Sequence, residues 1–541
     1  MLLALLICSM PLAASMPEVQ LGKTRLIGRE LAGLDQDFFG GIPFTEPPVG
    51  LLRLQRPILK TEMNADVFNA QNFGPACLQP NLSFDVMSED CLTVNIFRPA
   101  GLASEASLPV MFWTFGGGLV KGASSSYNAS AIVAQSAARG TPIIYVNYNY
   151  RLGPLGFPQG TETAVKGRLN LGLRDQLTAL EWVQKNIGVF GGDKTKVTVF
   201  GESAGAIMTN VLFLNPSISR MARAAIFESG TASTSVTYNA STKESVWQSF
   251  VAGTPGCSST VGTQATLDCL QSVNSSAIYQ GLLEAIAQST MTEAHPFNPN
   301  IDGPSGLLPD LPSRLWAQGR FAKLPFISGT NLDEGTVLAA PILDFTESRI
   351  RNYIAANFSP PAIPNRVLFR FLQLYPDDPI LGSPYGTGNQ TFGLPSGYKR
   401  LASMYGDLMF DSPRRYWTQT AVRAGVKAYG YQFTQRLSTT PAMFGVPHTS
   451  ELDFVYGSLG TLNETVSSNV LSEMMIDYWV SFATSLDPND GLGTSRPVWP
   501  QYTPENKVLL QLNGDNMTII PDDYRKEQID FIRDNAVIFH K

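Results

Sequence analysis

The chain has 541 residues, 44% hydrophobic and 16% charged, an ordinary globular composition with ample material for a core. Its formal net charge is −6 and it carries no basic run, which argues against nucleic acid and anionic membrane surfaces as partners. Length alone allows roughly two to four domains, but α/β enzymes often carry long excursions within one.

Residues 1–15, MLLALLICSMPLAAS, are apolar and end in the small residues Ala13-Ala14-Ser15. The run is too short to span a bilayer and nothing similar follows, so a signal peptide is expected even without a leading Lys or Arg. Secretion and a mature chain of 16–541, with no transmembrane anchor, follow from that expectation. Cys8 would leave with the signal. The remaining cysteines are Cys77, Cys91, Cys257 and Cys269. Four allow three connectivities, which sequence alone does not separate; two local bridges are the simplest. No C-x-x-C or nearby His accompanies them, so no metal site is expected. Eight sequons, at Asn81, Asn128, Asn239, Asn274, Asn357, Asn389, Asn463 and Asn516, are candidate glycosylation sites of a secreted chain.

Phe38 to Phe44 and Pro47 to Arg53 carry strand and turn signals, and Leu92 to Phe97 is a strand after Ser88-Glu-Asp-Cys91. Leu108 to Phe115 is an apolar run ending at Gly116-Gly117-Gly118. Three glycines after a buried strand let backbone N–H groups face a ligand unobstructed, as an oxyanion site needs; a flexible loop is the alternative. Pro142 to Asn147 predicts another strand, and Leu173 to Ile187 has helical periodicity. Val197 to Phe200 is strand-like and Ala204 to Leu214 helix-like. Between them lies Gly201-Glu202-Ser203-Ala204-Gly205, the chain's only G-x-S-x-G. A strand turning at once into a helix leaves no room for side chains at the two glycines and exposes the serine hydroxyl. Ala224 to Gly230, Leu324 to Gly329 and Ala428 to Phe433 predict further strands, with a mostly helical stretch at 340–425 and a helix from Met474 to Ser485. Strands alternating with helices imply an α/β class: a large, mostly parallel sheet covered on both faces, with long helical excursions.

A serine hydroxyl needs a base, and the base needs an orienting acid. The chain has only three His. His540 lies beside the last residue and His295 precedes a strand. Only His448, in a Gly/Pro-containing loop, leaves room for a strand-end acid between itself and Ser203, in the order Ser, acid, His. Asp333 and Glu334 both follow a strand end, and residue physics does not separate them.

GIPF with PPVGLLR, SEDCLTVNIF, FGGG, YRLGPLGF, DQLTALEWVQKNIGVFGGD, VFGESAGA, DEGT, GVPHTSEL and YWVSFATSLDPN recur in order along nearly the whole mature chain. In these the sequence resembles the type-B carboxylesterase/lipase family of α/β-hydrolases, which includes cholinesterases and fungal lipases of the Candida rugosa type. The resemblance implies one catalytic domain over 16–541, with Ser203 as nucleophile, Glu334 as acid and His448 as base. It implies an oxyanion hole from the N–H groups of Gly117, Gly118 and Ala204. Glu202 and Ser229 resemble supporting polar residues, or are structural. The family disulfides map onto Cys77–Cys91 and Cys257–Cys269. An ester substrate is implied, with transient contact to lipid droplets or micelles, and no cofactor.

The sequence also departs from that family. The first disulfide loop, 78–90, is short beside a long helical lid, so interfacial activation should be weak. It holds no Trp to bind a quaternary ammonium, which disfavours choline esters. The expected activity is hydrolysis of lipid or long-chain acyl esters through an acyl-enzyme. Esters of shorter or aromatic (feruloyl-type) acids are the alternative, and a catalytically inactive binding protein is a further one. Activity should fall as His448 protonates, near pH ~6–6.5 for an unperturbed imidazole.

Overall fold

A computed structural model describes residues 16–290, 296–339, 345–358 and 363–541. The expected signal peptide at 1–15, Cys8 and His295 lie outside them.

The apolar runs pair into an eleven-stranded sheet. Its strands are β1 (Arg29–Leu31), β2 (Gln36–Pro43), β3 (Thr93–Pro99), β4 (Leu108–Thr114), β5 (Ile144–Tyr148), β6 (Gly192–Glu202), β7 (Ala224–Glu228), β8 (Phe326–Asn331), β9 (Ala428–Phe433), β10 (Val508–Leu512) and β11 (Thr518–Pro521). The spatial order is β11-β10-β9-β8-β7-β6-β4-β5-β3-β2-β1. Strands β4 to β10 run parallel to their neighbours within that group. Antiparallel strands close both edges, β11 on β10 and β3, β2 and β1 beyond β5. The residues of β5, β7, β8 and β9 are buried throughout, so these strands show no alternation of apolar and polar residues.

Helices Leu171–Asn186, Ala204–Phe213 and Val466–Ser485 bury long faces, and every residue of the second is buried. The last begins two turns before the Met474 predicted from sequence. Thr465 caps it, its hydroxyl accepting from Ser468 N at 3.1 Å, and its early buried residues Ser468 and Ser472 are polar. Burial there leaves no apolar stripe to read.

The helical excursion packs its own apolar cluster, including Phe358, Phe371, Leu401 and Tyr405. Its helix Gly397–Gly406 runs into a π-helical turn, Asp407–Asp411. Arg525 ties that turn down from outside, donating to Asp407 at 2.7 Å and to Asp411 at 2.8 Å.

Disulfides join Cys77 to Cys91 and Cys257 to Cys269, with Cα–Cα separations of 5.1 and 5.7 Å. The first closes a loop whose tip is a single 3-10 turn, Phe84–Val86, with Leu82, Phe84 and Val86 exposed. Phe84 leans on Tyr279, ring centroids 5.3 Å apart. The sequons are exposed except Asn357, which is half-buried on a helix. Among the described residues no helix is long and apolar enough to cross a membrane.

Candidate active site

Strand β6 ends at Glu202, and the next helix begins at Ala204. Ser203 sits between them at φ +53°, ψ −123°, a region a non-glycine residue occupies at a cost of about 1–3 kcal/mol. The flanking glycines leave room for that turn. A Cβ on Gly201 would fall 2.6 Å from the Thr114 carbonyl oxygen, and one on Gly205 would fall 1.9 Å from it. Ser203 N donates to Glu228 O at 2.9 Å, hanging the turn on β7.

The structure brings the three distant side chains together. His448 Nε2 lies 2.8 Å from Ser203 Oγ, and His448 Nδ1 lies 2.6 Å from Glu334 Oε2. The other Glu334 oxygen accepts from Asn331 N at 2.7 Å, which fixes the carboxylate at the end of β8. Asp333, left equal to Glu334 by sequence, does different work. Its carboxylate accepts from Ser383 Oγ at 2.7 Å, Tyr385 N at 2.8 Å and Val446 N at 2.9 Å. It therefore anchors the loop carrying His448; burial outweighs these bonds and lifts its carboxyl to about 6. His540 is distant in role: its ring packs on Tyr238 at 4.7 Å.

Gly117, Gly118, Ala204, Ser203 and His448 line one cavity of about 330 Å³. Its apolar wall includes Leu119, Val120, Ile207, Leu338, Met409 and Phe410. Among the described residues the N–H groups of Gly117 and Gly118 donate to no protein acceptor. Ala204 N–H, first in its helix, has no intrahelical partner. Free main-chain donors beside a hydroxyl are what a developing oxyanion requires.

Buried carboxylates surround the imidazole. Glu202 Oε1 lies 3.3 Å from His448 Nε2. Burial pushes the imidazolium down, but the charges of Glu202 and Glu334 and the Glu334 hydrogen bond prevail and hold His448 up, at about 9. The expected acid limb near pH 6–6.5 for an unperturbed imidazole is corrected accordingly. Burial raises Glu202 as well, which makes its charge beside His448 Nε2 costly to maintain. Ser229, at φ +49°, donates to Glu451 Oε1 at 3.3 Å, and Asn331 Nδ2 donates to Glu451 Oε2 at 2.5 Å. Burial, and then Glu334, lift Glu451 to about 7.

Sequence reasoning missed Glu451, Glu228 and Phe410. Glu228 is fully buried and accepts from Trp479 Nε1 at 2.6 Å. Phe410 packs its ring 4.6 Å from that of His448. Only Glu451 left a trace, as an acid three residues after the histidine in one turn. Behind the cavity, Lys541 is buried and its Nζ donates to the carbonyl of the cavity-lining Thr234 at 2.8 Å.

The sequence pattern of the Carboxylesterase family matches residues 15–532. The chain belongs to that family. As a carboxylesterase-family member it is a carboxylic-ester hydrolase with the α/β-hydrolase fold. It is 33% identical to Lipase 1 of Geotrichum candidum, over 97% of each chain. It is also 33% identical to Secreted lipase 1 of Botryotinia fuckeliana, over 94% of this chain and 91% of that one. The solved structure of Aspergillus niger EstA superposes with a TM-score of 0.84 at 26% identity, covering 97% of this chain and 99% of that one.

Proposed function

We propose that this carboxylesterase acts through an acyl-enzyme on Ser203, with His448 as base and Glu334 as orienting acid. His448 takes the hydroxyl proton as Ser203 Oγ attacks the ester carbonyl. The N–H groups of Gly117, Gly118 and Ala204 receive the charge that develops on the carbonyl oxygen. The carbonyl–alkoxy bond then breaks and the alcohol leaves with the proton from His448 Nε2. Water, deprotonated by the same nitrogen, attacks the acyl-enzyme, and the acid departs. These steps call for no metal or cofactor. Glu202 supports the imidazolium by its charge, and Ser229 acts at one remove by holding Glu451.

The supporting observation is the unbroken line of contacts Glu334–His448–Ser203, at 2.6 and 2.8 Å, opening on free main-chain donors in an apolar cavity. The substrate is an ester of a lipid acid, taken from droplets or micelles by a secreted, glycosylated chain whose residues 16–541 form one catalytic domain. The relatives named as lipases, one of them as a secreted lipase, support this choice. A second reading, shorter or aromatic acyl esters, is favoured by the size of the cavity. Its 330 Å³ stands at the small end of ligand pockets, which run from about 300 to 1,000 Å³.

Rates on 4-nitrophenyl esters of two to eighteen carbons, beside an emulsified triglyceride, separate the two readings. Ser203→Ala should lose on the order of 10⁴-fold in kcat or more and fail to take up a serine-reactive phosphonate. Wild-type turnover by that variant would remove Ser203 from the mechanism.

A further inference from the structure

Among the described residues that line the cavity, only Lys121 and His448 can carry charge in the neutral range, and none is Asp or Glu. His448 is committed to Ser203 and Glu334. Lys121 is not committed: it is exposed, and among the described residues its ammonium has neither an ion-pair partner nor a hydrogen-bond acceptor. An unpaired cation at the rim of an otherwise apolar cavity attracts anionic groups on whatever enters it.

Its backbone position is fixed relative to the reacting centre. Lys121 N donates to Gly117 O at 3.2 Å, and a Cβ on Gly117 would fall 2.1 Å from the Lys121 carbonyl oxygen. The next residue is clamped from both sides by buried Gln79, which accepts from Gly122 N at 2.8 Å and donates to Gly122 O at 2.9 Å. Gln79 belongs to the loop closed by Cys77–Cys91. The cation therefore hangs from the same tight turn that presents the oxyanion donors, and only its flexible stem can move.

We infer that Lys121 is a specificity-determining residue that selects esters bearing a carboxylate or other anionic group a few bonds from the scissile carbonyl, over neutral esters of the same shape. The inference rests on the ester-hydrolase reading of the adjoining site. The class includes half-esters of dicarboxylic acids, where the anion is on the acyl part, and esters of hydroxy acids, where it is on the alcohol. Both present the same chemistry to an ammonium.

The test uses the purified full chain and two matched pairs. The acyl pair is 4-nitrophenyl hydrogen adipate against 4-nitrophenyl methyl adipate. The alcohol pair is the butyrate ester of 4-hydroxyphenylacetic acid against that of its methyl ester. In at least one pair kcat/KM should favour the anion by about two- to fivefold at low salt, the range of an exposed ion pair. The preference should shrink at about 0.5 M NaCl, where charges a few ångströms apart are screened. Lys121→Met should abolish it and Lys121→Arg should keep it. The pair that shows the preference identifies which part of the substrate passes Lys121. Cleavage of the neutral esters with no anion preference, or a preference that Lys121→Met retains, overturns the role of Lys121 and leaves ester hydrolysis standing. Silence on all four esters overturns both.

Discussion

Two adjacent glycines in the Gly116–Gly118 turn should respond differently to the same added methyl group. Gly117 has φ +103° and no space: its Cβ would sit 2.1 Å from the Lys121 carbonyl oxygen and 3.2 Å from Lys121 Cγ. The nearest obstacle is main chain, so Gly117→Ala must move the turn and with it two donors aimed at the oxyanion. Loss of one such donor costs about 3–4 kcal/mol, so kcat should fall on the order of 10²–10³-fold. Gly118 has φ +63°, and its Cβ would meet nothing within 4 Å. Gly118→Ala therefore carries only the left-handed penalty, about 1–2 kcal/mol, and keeps its N–H in place. Its kcat should stay within about tenfold of wild type. The assay is kcat on a soluble short-chain 4-nitrophenyl ester, with thermal unfolding to show that both variants fold. Wild-type kcat in Gly117→Ala, or equal losses in the two, would refute the assignment of the oxyanion donors to this turn.

The neighbouring acids should separate by function: Glu334→Gln should lower kcat on the order of 10³–10⁴-fold with little loss of stability. Asp333→Asn should instead destabilise by about 1–3 kcal/mol, because an amide N–H₂ would face one of the donors from Ser383, Tyr385 and Val446; the reverse pattern, by kinetics and unfolding, would exchange their roles. Because only neutral imidazole can act as base, and His448 is held up at about 9, kcat/KM should fall as pH drops through an apparent value above the ordinary 6.5. Glu202→Gln, removing a charge 3.3 Å from Nε2, should move that limb down by about 1–2 pH units; an unmoved limb would mean that Glu202 is already neutral there. Burial lowers the Lys541 amine to about 7, so between there and 10.5 the unfolded chain holds a proton that the folded chain does not. Stability from this residue therefore rises with pH across that window, and Lys541→Met should reduce the gain in Tm between pH ~7 and ~9; an unchanged gain would place the amine in water.

What was legible in the sequence is what backbone chemistry dictates locally. Gly201 and Gly205 flank Ser203 because Thr114 O leaves no space for a Cβ at either position. The strands β5, β7, β8 and β9 are legible because each opens on buried apolar residues, as at Ile144–Val146, Ala224–Phe227, Phe326–Ile327 and Ala428–Tyr429. His448 was reached by elimination among three histidines, a matter of scarcity rather than of geometry. The acid was not legible from residues alone. Asp333 and Glu334 share a turn, and contacts made across the fold tell them apart: His448 Nδ1 on Glu334, and Ser383 Oγ, Tyr385 N and Val446 N on Asp333. The first turns of Val466–Ser485 failed for a related reason, since Ser472 there donates to Phe454 O at 2.7 Å and so is buried without being apolar.

The same distinction explains why Glu228 and Glu451 escaped notice, and why Glu202 was marked only by resemblance, while the reacting groups were not missed. A nucleophile needs a strained turn and a base needs a neighbour, and both demands leave marks on spacing. Glu202, Glu228 and Glu451 impose no local backbone demand: each is an ordinary side chain made unusual by the dry space it enters. Burial raises all three, so each is harder to ionise than a carboxylate in water. Their placement follows from the parallel sheet. Glu202 and Glu228 are paired partners at the carboxyl ends of β6 and β7, while Glu451 is held by Asn331 at the end of β8. Strand ends that converge to build a nucleophile's turn therefore also converge to surround its base with acids.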